Sequence, residues 1–218
     1  YGLTKGQYSP TSEIGKVTKS TPMRSIDFPF NPLAVALGAE ASFVARTHDL
    51  DRKHMMEVFR AAHQHRGASF VEIFQNCNVF NDDAFDAVTG RKNRTEMMID
   101  LHHGEPIRFG EDGHAGVVMG ADGRLRIVEV ADVGIDALLV HDSHRQDPSL
   151  AFALARLSSD EPDSATGTWS PTPFGVFRDI DRPDYGSMVS GQIADAASKK
   201  GPGDLRALLQ SAGTWQVA

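Results

Sequence analysis

Between Gly67 and the asparagines at 76, 78 and 81 lies Phe70-Val71-Glu72-Ile73-Phe74, a nearly continuous apolar run of strand length. A run of this kind predicts a strand buried on both faces, and such a strand needs helices to cover it. The preceding residues supply them. Asn31 can cap a helix with Pro32 in its first position, and Leu33, Val35, Ala36, Leu37 and Ala39 make its apolar turns, ending between Gly38 and Ser42. Phe43-Val44-Ala45-Arg46 reads as a short strand. Asp49 and Asp51 are caps for a second helix that carries Met55, Phe59 and Ala62 on one face and is closed by Gly67. Helices alternating with strands predict an α/β fold around a parallel sheet flanked by helices.

Beyond Cys77 the pattern changes. Val117-Val118-Met119 and Leu125 to Val130, joined through Ala121-Asp122-Gly123, predict an antiparallel β-hairpin. Ser149 to Leu157 predicts a helix, and Ser158 to Pro173, rich in Ser, Thr, Asp and Pro, an exposed connection. The remainder reads as a tail, with weak helices over 187–198 and 203–209 and Phe174, Phe177 and Trp215 as isolated apolar anchors suited to a subunit interface. The division expected is 1–110 for the α/β region, 111–157 for a hairpin and helix extension, and 158–218 for the tail.

Charge and apolar content restrict the function. A net charge of -7 disfavours a phosphate-backbone partner, which needs clustered Lys and Arg, so no nucleic acid is expected. No apolar run approaches the roughly 20 residues of a membrane-spanning helix, so no membrane is expected, and a cytoplasmic location follows. The single cysteine, Cys77, cannot form an internal disulfide. The chain opens without Met, inside what reads as a motif, which predicts further sequence upstream.

Three groups of residues could carry chemistry. Tyr1-Gly2-Leu3-Thr4-Lys5-Gly6-Gln7-Tyr8-Ser9-Pro10-Thr11 places glycines on both sides of a Thr-Lys pair, a turn whose backbone N–H groups and cation suit a phosphate or carboxylate, although most such loops are only turns. The long polar segment through Arg24 suits a loop wrapped over a ligand. The second group is Gln75 to Asn81, delivered at the carboxyl end of the 70–74 strand, where ligands gather in open α/β sheets. A lone cysteine such as Cys77 is more often a small buried hydrophobe. The third group, His63/His65, His102/His103 and His141-Asp142-Ser143-His144, has metal-like or triad-like proximity, but the spacings do not converge in regular elements, and ordinary hydrogen-bonded histidines are expected.

The stretch Tyr1 to Thr11 and the strand ending at Cys77 resemble the catalytic, thiamine-diphosphate-binding beta subunits of 2-oxoacid:ferredoxin oxidoreductases, in their C-terminal portion. Asn31 to Ala39 with Phe43 to Arg46 resembles the next helix and strand of that family. Pro173 to Arg178, Gly203-Asp204-Leu205 and Thr214-Trp215 look like the tail of its actinobacterial-type 2-oxoglutarate members. The fold implied is part of a thiamine-diphosphate-binding α/β domain. Family members usually carry Pro where this chain has Asn76.

The resemblance implies that Tyr1, Gly2, Leu3 and Thr4 lie along thiamine diphosphate, with Leu3 at the reacting centre. Lys5 would pair with the distal carboxylate of 2-oxoglutarate; read from the residue alone, it is a surface lysine. Cys77 would be the distant fourth ligand of a [4Fe-4S] cluster, which takes four thiolates as a rule. The Mg2+ ligands and the other three cysteines would lie upstream. The activity implied is oxidative decarboxylation of 2-oxoglutarate with coenzyme A to succinyl-CoA and CO2, with ferredoxin reduced. The alpha subunit would be the partner, in an alpha2beta2 assembly, and would supply the glutamate that activates the thiamine ring. Pyruvate or a branched 2-oxoacid as substrate, or a non-catalytic fragment that only docks on a partner, are the alternatives.

Overall fold

A computed structural model describes residues 5–157, 170–211, 213 and 215. In chain order the elements are α1 (Pro32–Gly38), β1 (Phe43–His48), α2 (Arg52–Gln64), β2 (Ser69–Phe74), α3 (Asp86–Thr89), α4 (Arg94–Met97), β3 (Met98–Leu101), β4 (Arg108–Phe109), β5 (Ala115–Met119), β6 (Leu125–Glu129), α5 (Val130–Val133), α6 (Ser149–Ala155), β7 (Thr172–Asp179), α7 (Tyr185–Lys200) and α8 (Leu205–Leu209). The α/β fold expected from the sequence is found, with a central sheet flanked by helices.

Of the caps read from the sequence, Asn31 and Asp51 act as caps, whereas the Asp49 carboxylate accepts from Asn76 N instead. Asn31 Oδ1 accepts from Ala34 N at 2.9 Å with Pro32 opening α1, and Asp51 Oδ1 accepts from His54 N at 3.0 Å at the start of α2. The buried face of α2 keeps Met55 and Ala62 of the one expected but centres on Val58 rather than Phe59. Val58, Ala61 and Ala62 pack on Phe43 and Ala45, while Phe59 is 39% exposed. Val58 falls on the stripe that faces the sheet, and the larger Phe59, one position on, points away from it.

The central sheet has the order β2-β1-β7-β3. β1 pairs with β2 in parallel from Phe43↔Ser69 to His48↔Phe74, β7 is antiparallel to β1, and β3 is parallel to β7, so two of the three pairings are parallel. Two corrections follow. β2 is an edge strand among the described residues, with Ile73 41% exposed, and is not buried on both faces. Its apolar run specifies a strand but not its place in the sheet.

The second correction concerns Phe174 and Phe177, expected in a tail. They lie at 0% and 1% exposure in β7, which runs between β1 and β3. Pro173 and Gly175, residue types that disfavour a strand interior, are both accommodated. Gly175 has φ +113° beside the β-bulge at Val44/Ala45, and a Cβ on it would meet Leu101 O at 2.9 Å, so backbone packs on backbone.

The predicted hairpin is present as β5 and β6, with Val117↔Ile127 at its centre, and β4 adds a third strand. The main core joins Leu33 and Leu37 of α1 to Val44, Ile99, Phe177, and Leu150 and Leu154 of α6, and continues into the hairpin through Ile107 and Val117. Residues 182–218 form a separate compact unit, with Asp184 and Asp204 capping α7 and α8. Trp215, expected as an anchor, is 83% exposed. Among the described residues no helix is long and apolar enough to cross a membrane.

Candidate functional site

β1 and β2 run in parallel and end together, so the residues after them, Asp49 and Gln75 to Asn81, share the carboxyl edge of the sheet. The edge is stitched: Asp49 N donates to Phe74 O at 3.1 Å, and Asn76 N donates to the Asp49 carboxylate at 2.9 Å. The second bond gives Asn76 a use for a backbone N–H that proline lacks, which accounts physically for the departure at this position.

Cys77 opens a tight turn in which Asn81 N donates to Cys77 O at 2.9 Å. Its thiol is held below its usual range, first by the backbone N–H of Phe80 and then by those of Val79 and Asn81, against the opposing effect of desolvation. Amide dipoles aimed at sulfur favour the thiolate, the form that ligates metal.

The opening segment folds over this turn. Lys5 and Gly6 both take positive φ, 58° and 95°, and a Cβ on Gly6 would lie 3.0 Å from the Phe80 ring. Only glycine at position 6 lets the chain lie this close to Phe80 at that φ. Lys16 Nζ bonds the Asn81 side chain and pairs with Glu13 at 3.0 Å. The segment is braced internally: Ser25 N donates to Lys16 O at 2.9 Å, Phe30 N to Pro10 O at 2.8 Å, and Ser9 N to Ser12 Oγ at 3.0 Å. The structure thus brings Gly6 to the Cys77 turn, while its neighbour Lys5 is exposed. Tyr1, Gly2, Leu3 and Thr4 lie outside the described residues.

Between the segment and the sheet edge lies a cleft of about 380 Å³. Ser9, Thr11 and Ser12 offer hydroxyls on one side, Phe74 and Phe85 stack at 4.4 Å on the other, and Cys77 lies on its rim. Hydroxyl donors facing an aromatic wall fit a planar, anionic cofactor. The donor set at Cys77 fits one iron of a cluster, and the other ligands it would need are not among the described residues.

The histidines do not all separate as expected: His103 meets the 141–144 segment, with its Nδ1 3.3 Å from Ser143 Oγ and 3.7 Å from Asp142 Oδ1 and its ring 4.3 Å from that of His144. His144 Nδ1 bonds Asp179 O and His141 Nε2 bonds Val176 O, so 141–144 forms no triad. A different relay, unseen in the sequence, joins Ser42 Oγ to His65 Nε2 and His65 Nδ1 to Asp179 Oδ1, each at 2.8 Å, and latches the end of α2 to β7 at the opposite edge of the sheet. Three elements distant in sequence build it, and no local spacing announces it.

The family model of the thiamine pyrophosphate enzyme C-terminal TPP binding domain matches residues 1–73. A solved 2-oxoglutarate:ferredoxin oxidoreductase from Magnetococcus marinus, with 2-oxoglutarate, coenzyme A and succinyl-CoA bound, has the same fold over 94% of this chain and 51% of its own, at TM-score 0.57 and 24% identity. Residues 1–73 thus match the C-terminal cofactor domain of thiamine-diphosphate enzymes, and the likeness to the solved structure is one of fold. The whole chain is 51% identical to the 2-oxoglutarate oxidoreductase subunit KorB of Mycobacterium tuberculosis, over 56% of that subunit's length. Residues covering 38% of the chain are 43% identical to the 2-oxoacid:ferredoxin oxidoreductase subunit beta of Saccharolobus solfataricus, over 27% of its length. The chain is thus similar to the KorB-type beta subunits of the 2-oxoacid oxidoreductases, and spans about half the length of the M. tuberculosis subunit.

Proposed function

We propose that the protein is the catalytic beta subunit of an enzyme that oxidatively decarboxylates 2-oxoglutarate with coenzyme A, yielding succinyl-CoA and CO2 and reducing ferredoxin. The observation that carries this reading is the convergence of the opening turn and the Cys77 turn at one sheet edge, through Gly6 on Phe80 and Lys16 on Asn81. The names of the M. tuberculosis and M. marinus relatives support the substrate.

When bound, thiamine diphosphate supplies the electron sink that lets the bond to the departing carboxylate break. The chain's own residues position and select. Tyr1, Gly2, Leu3 and Thr4 line the cofactor, with Leu3 shaping the reaction pocket. Lys5, exposed beside Gly6, would pair its ammonium with the distal carboxylate of the acid. The Cys77 thiolate, steadied by the N–H groups of Val79, Phe80 and Asn81, would hold one iron of a [4Fe-4S] cluster, which when bound supplies one-electron acceptance. Mg2+ accompanies the diphosphate, held by residues other than those named here. The alpha subunit completes an alpha2beta2 assembly in the cytoplasm.

The test is turnover of 2-oxoglutarate, pyruvate and a branched 2-oxoacid by the intact enzyme and its Lys5→Ala variant. Lys5→Ala is expected to lose kcat/KM for 2-oxoglutarate by roughly ten- to a hundred-fold, the range of one charge-assisted contact, while pyruvate turnover changes little. Unchanged selectivity would remove Lys5 from the site, and a wild-type preference for pyruvate or a branched acid would replace the substrate.

A further inference from the structure

A second pocket, of about 360 Å³, shares no lining residue with the cleft at Cys77. It is built where β1 ends at His48, the first turn of α2 begins, and α4, β3 and β4 come together. His48 is 1% exposed and lines it, yet neither ring nitrogen has a hydrogen-bond partner. A buried imidazole with both nitrogens unmatched is costly unless something else satisfies it. Phe174 packs edge-on against the ring at 5.3 Å and fixes its orientation.

The other lining groups are mostly donors. Arg94 makes no side-chain hydrogen bond or ion pair among the described residues, and Arg108 spends one nitrogen on Asp112 O at 3.2 Å. His54 gives Nδ1 to Thr47 Oγ1 at 2.9 Å, which leaves Nε2 open. Two carboxylates, Asp51, which also caps α2, and Asp100, line the pocket as well and oppose an anion, so the two guanidinium groups must outweigh them. Despite two imidazoles and two carboxylates, no trio of His, Cys, Asp or Glu among the described residues is disposed to hold a metal ion.

We propose that this pocket binds a small oxyanion, a phosphate or a carboxylate, clamped by Arg94 and Arg108 with His48 as the buried hydrogen-bonding partner at its floor. Guanidinium forks match both anions. Burial, and then His54, hold His48 below its usual range, so the ring is neutral and offers one donor and one acceptor. This suits the protonated oxygen of hydrogen phosphate or a hydroxyl beside a carboxylate.

The test is calorimetric titration of the intact enzyme with inorganic phosphate and, separately, with acetate. Saturable binding of either supports the site, and the one that binds identifies the anion. Arg94→Gln and Arg108→Gln alter exposed side chains and are each expected to weaken binding by about ten-fold or more, whereas Asp100→Asn should tighten it several-fold. A wild-type enzyme that binds neither anion, or binding that survives unchanged in both arginine variants, would overturn the proposal. The second result would place the anion elsewhere, as in a cofactor diphosphate site. Neither outcome bears on the thiamine or cluster reading.

Discussion

Arg46 shows how one side chain ties the sheet that carries the site. It is completely buried in β1, with Nε 2.6 Å from Glu72 of β2, a second nitrogen on Pro173 O of β7 at 3.2 Å, and its guanidinium 4.9 Å from the Phe74 ring centre. Truncation would strand Glu72 and open a cavity. Arg46→Ala is therefore expected to destabilise the protein by about 3–5 kcal/mol in urea unfolding, with Arg46→Met losing less because it keeps the packing. A loss of under about 1 kcal/mol in Arg46→Ala would show that the pair is replaceable by solvent. In the sequence Arg46 is only the end of an apolar strand, since burial of a charge depends on partners 26 and 127 positions away. Cys77, by contrast, was legible as a residue to explain, being alone of its kind. Asn76 makes a second residue-scale prediction. Asn76→Pro removes the N–H bonded to Asp49 and should loosen the Cys77 turn, seen as faster amide exchange at Val79 to Asn81.

At the scale of elements, local patterns carried most of what could be read. Caps, the 3.6-residue period and the hairpin turn need only neighbours, and α1, α2, β5 and β6 were found where those signals lay. β7 was missed because a strand flanked on both sides needs no alternation, and because Pro near its start and Gly beside its bulge are residues that usually interrupt strands. The β5–β6 hairpin is joined to α4 by His114, whose two nitrogens face Glu129 at 3.0 Å and Glu96 at 2.9 Å. Those bonds, Glu129 first, raise the His114 pKa above its usual value. The clasp therefore adds stability in full below about pH 6.5, the unfolded value, and loses it as pH rises through the higher folded value. Urea midpoints of wild type should exceed those of His114→Gln at pH 6 and converge with them at pH 9. A gap that widened with pH would contradict the clasp. Glu96 is lowered by the same contact, so its share fades only in acid.

For the whole molecule, the α/β class was legible because helices and strands alternate over 31–74, whereas the strand order β2-β1-β7-β3 was not. That order depends on a return of the chain more than a hundred residues after β1. The site shows the same division: its two turns were visible as motifs, and their meeting across the cleft was not. Residues 182–218 present Tyr185, Ile193, Leu205, Leu208 and Leu209 at 65% exposure or more. Deletion of this unit is expected to weaken subunit assembly, read as a shift to smaller species by mass photometry, and an intact assembly would count against an interface role. The cluster provides the most direct measurement: iron content and electron paramagnetic resonance of the reduced, intact enzyme, compared between wild type and Cys77→Ala, with thiamine assayed in parallel. Cys77→Ala is expected to lose the [4Fe-4S] signal, or convert it to a three-iron form, while keeping thiamine. An unchanged four-iron signal in Cys77→Ala would contradict the placement of a cluster at this sheet edge.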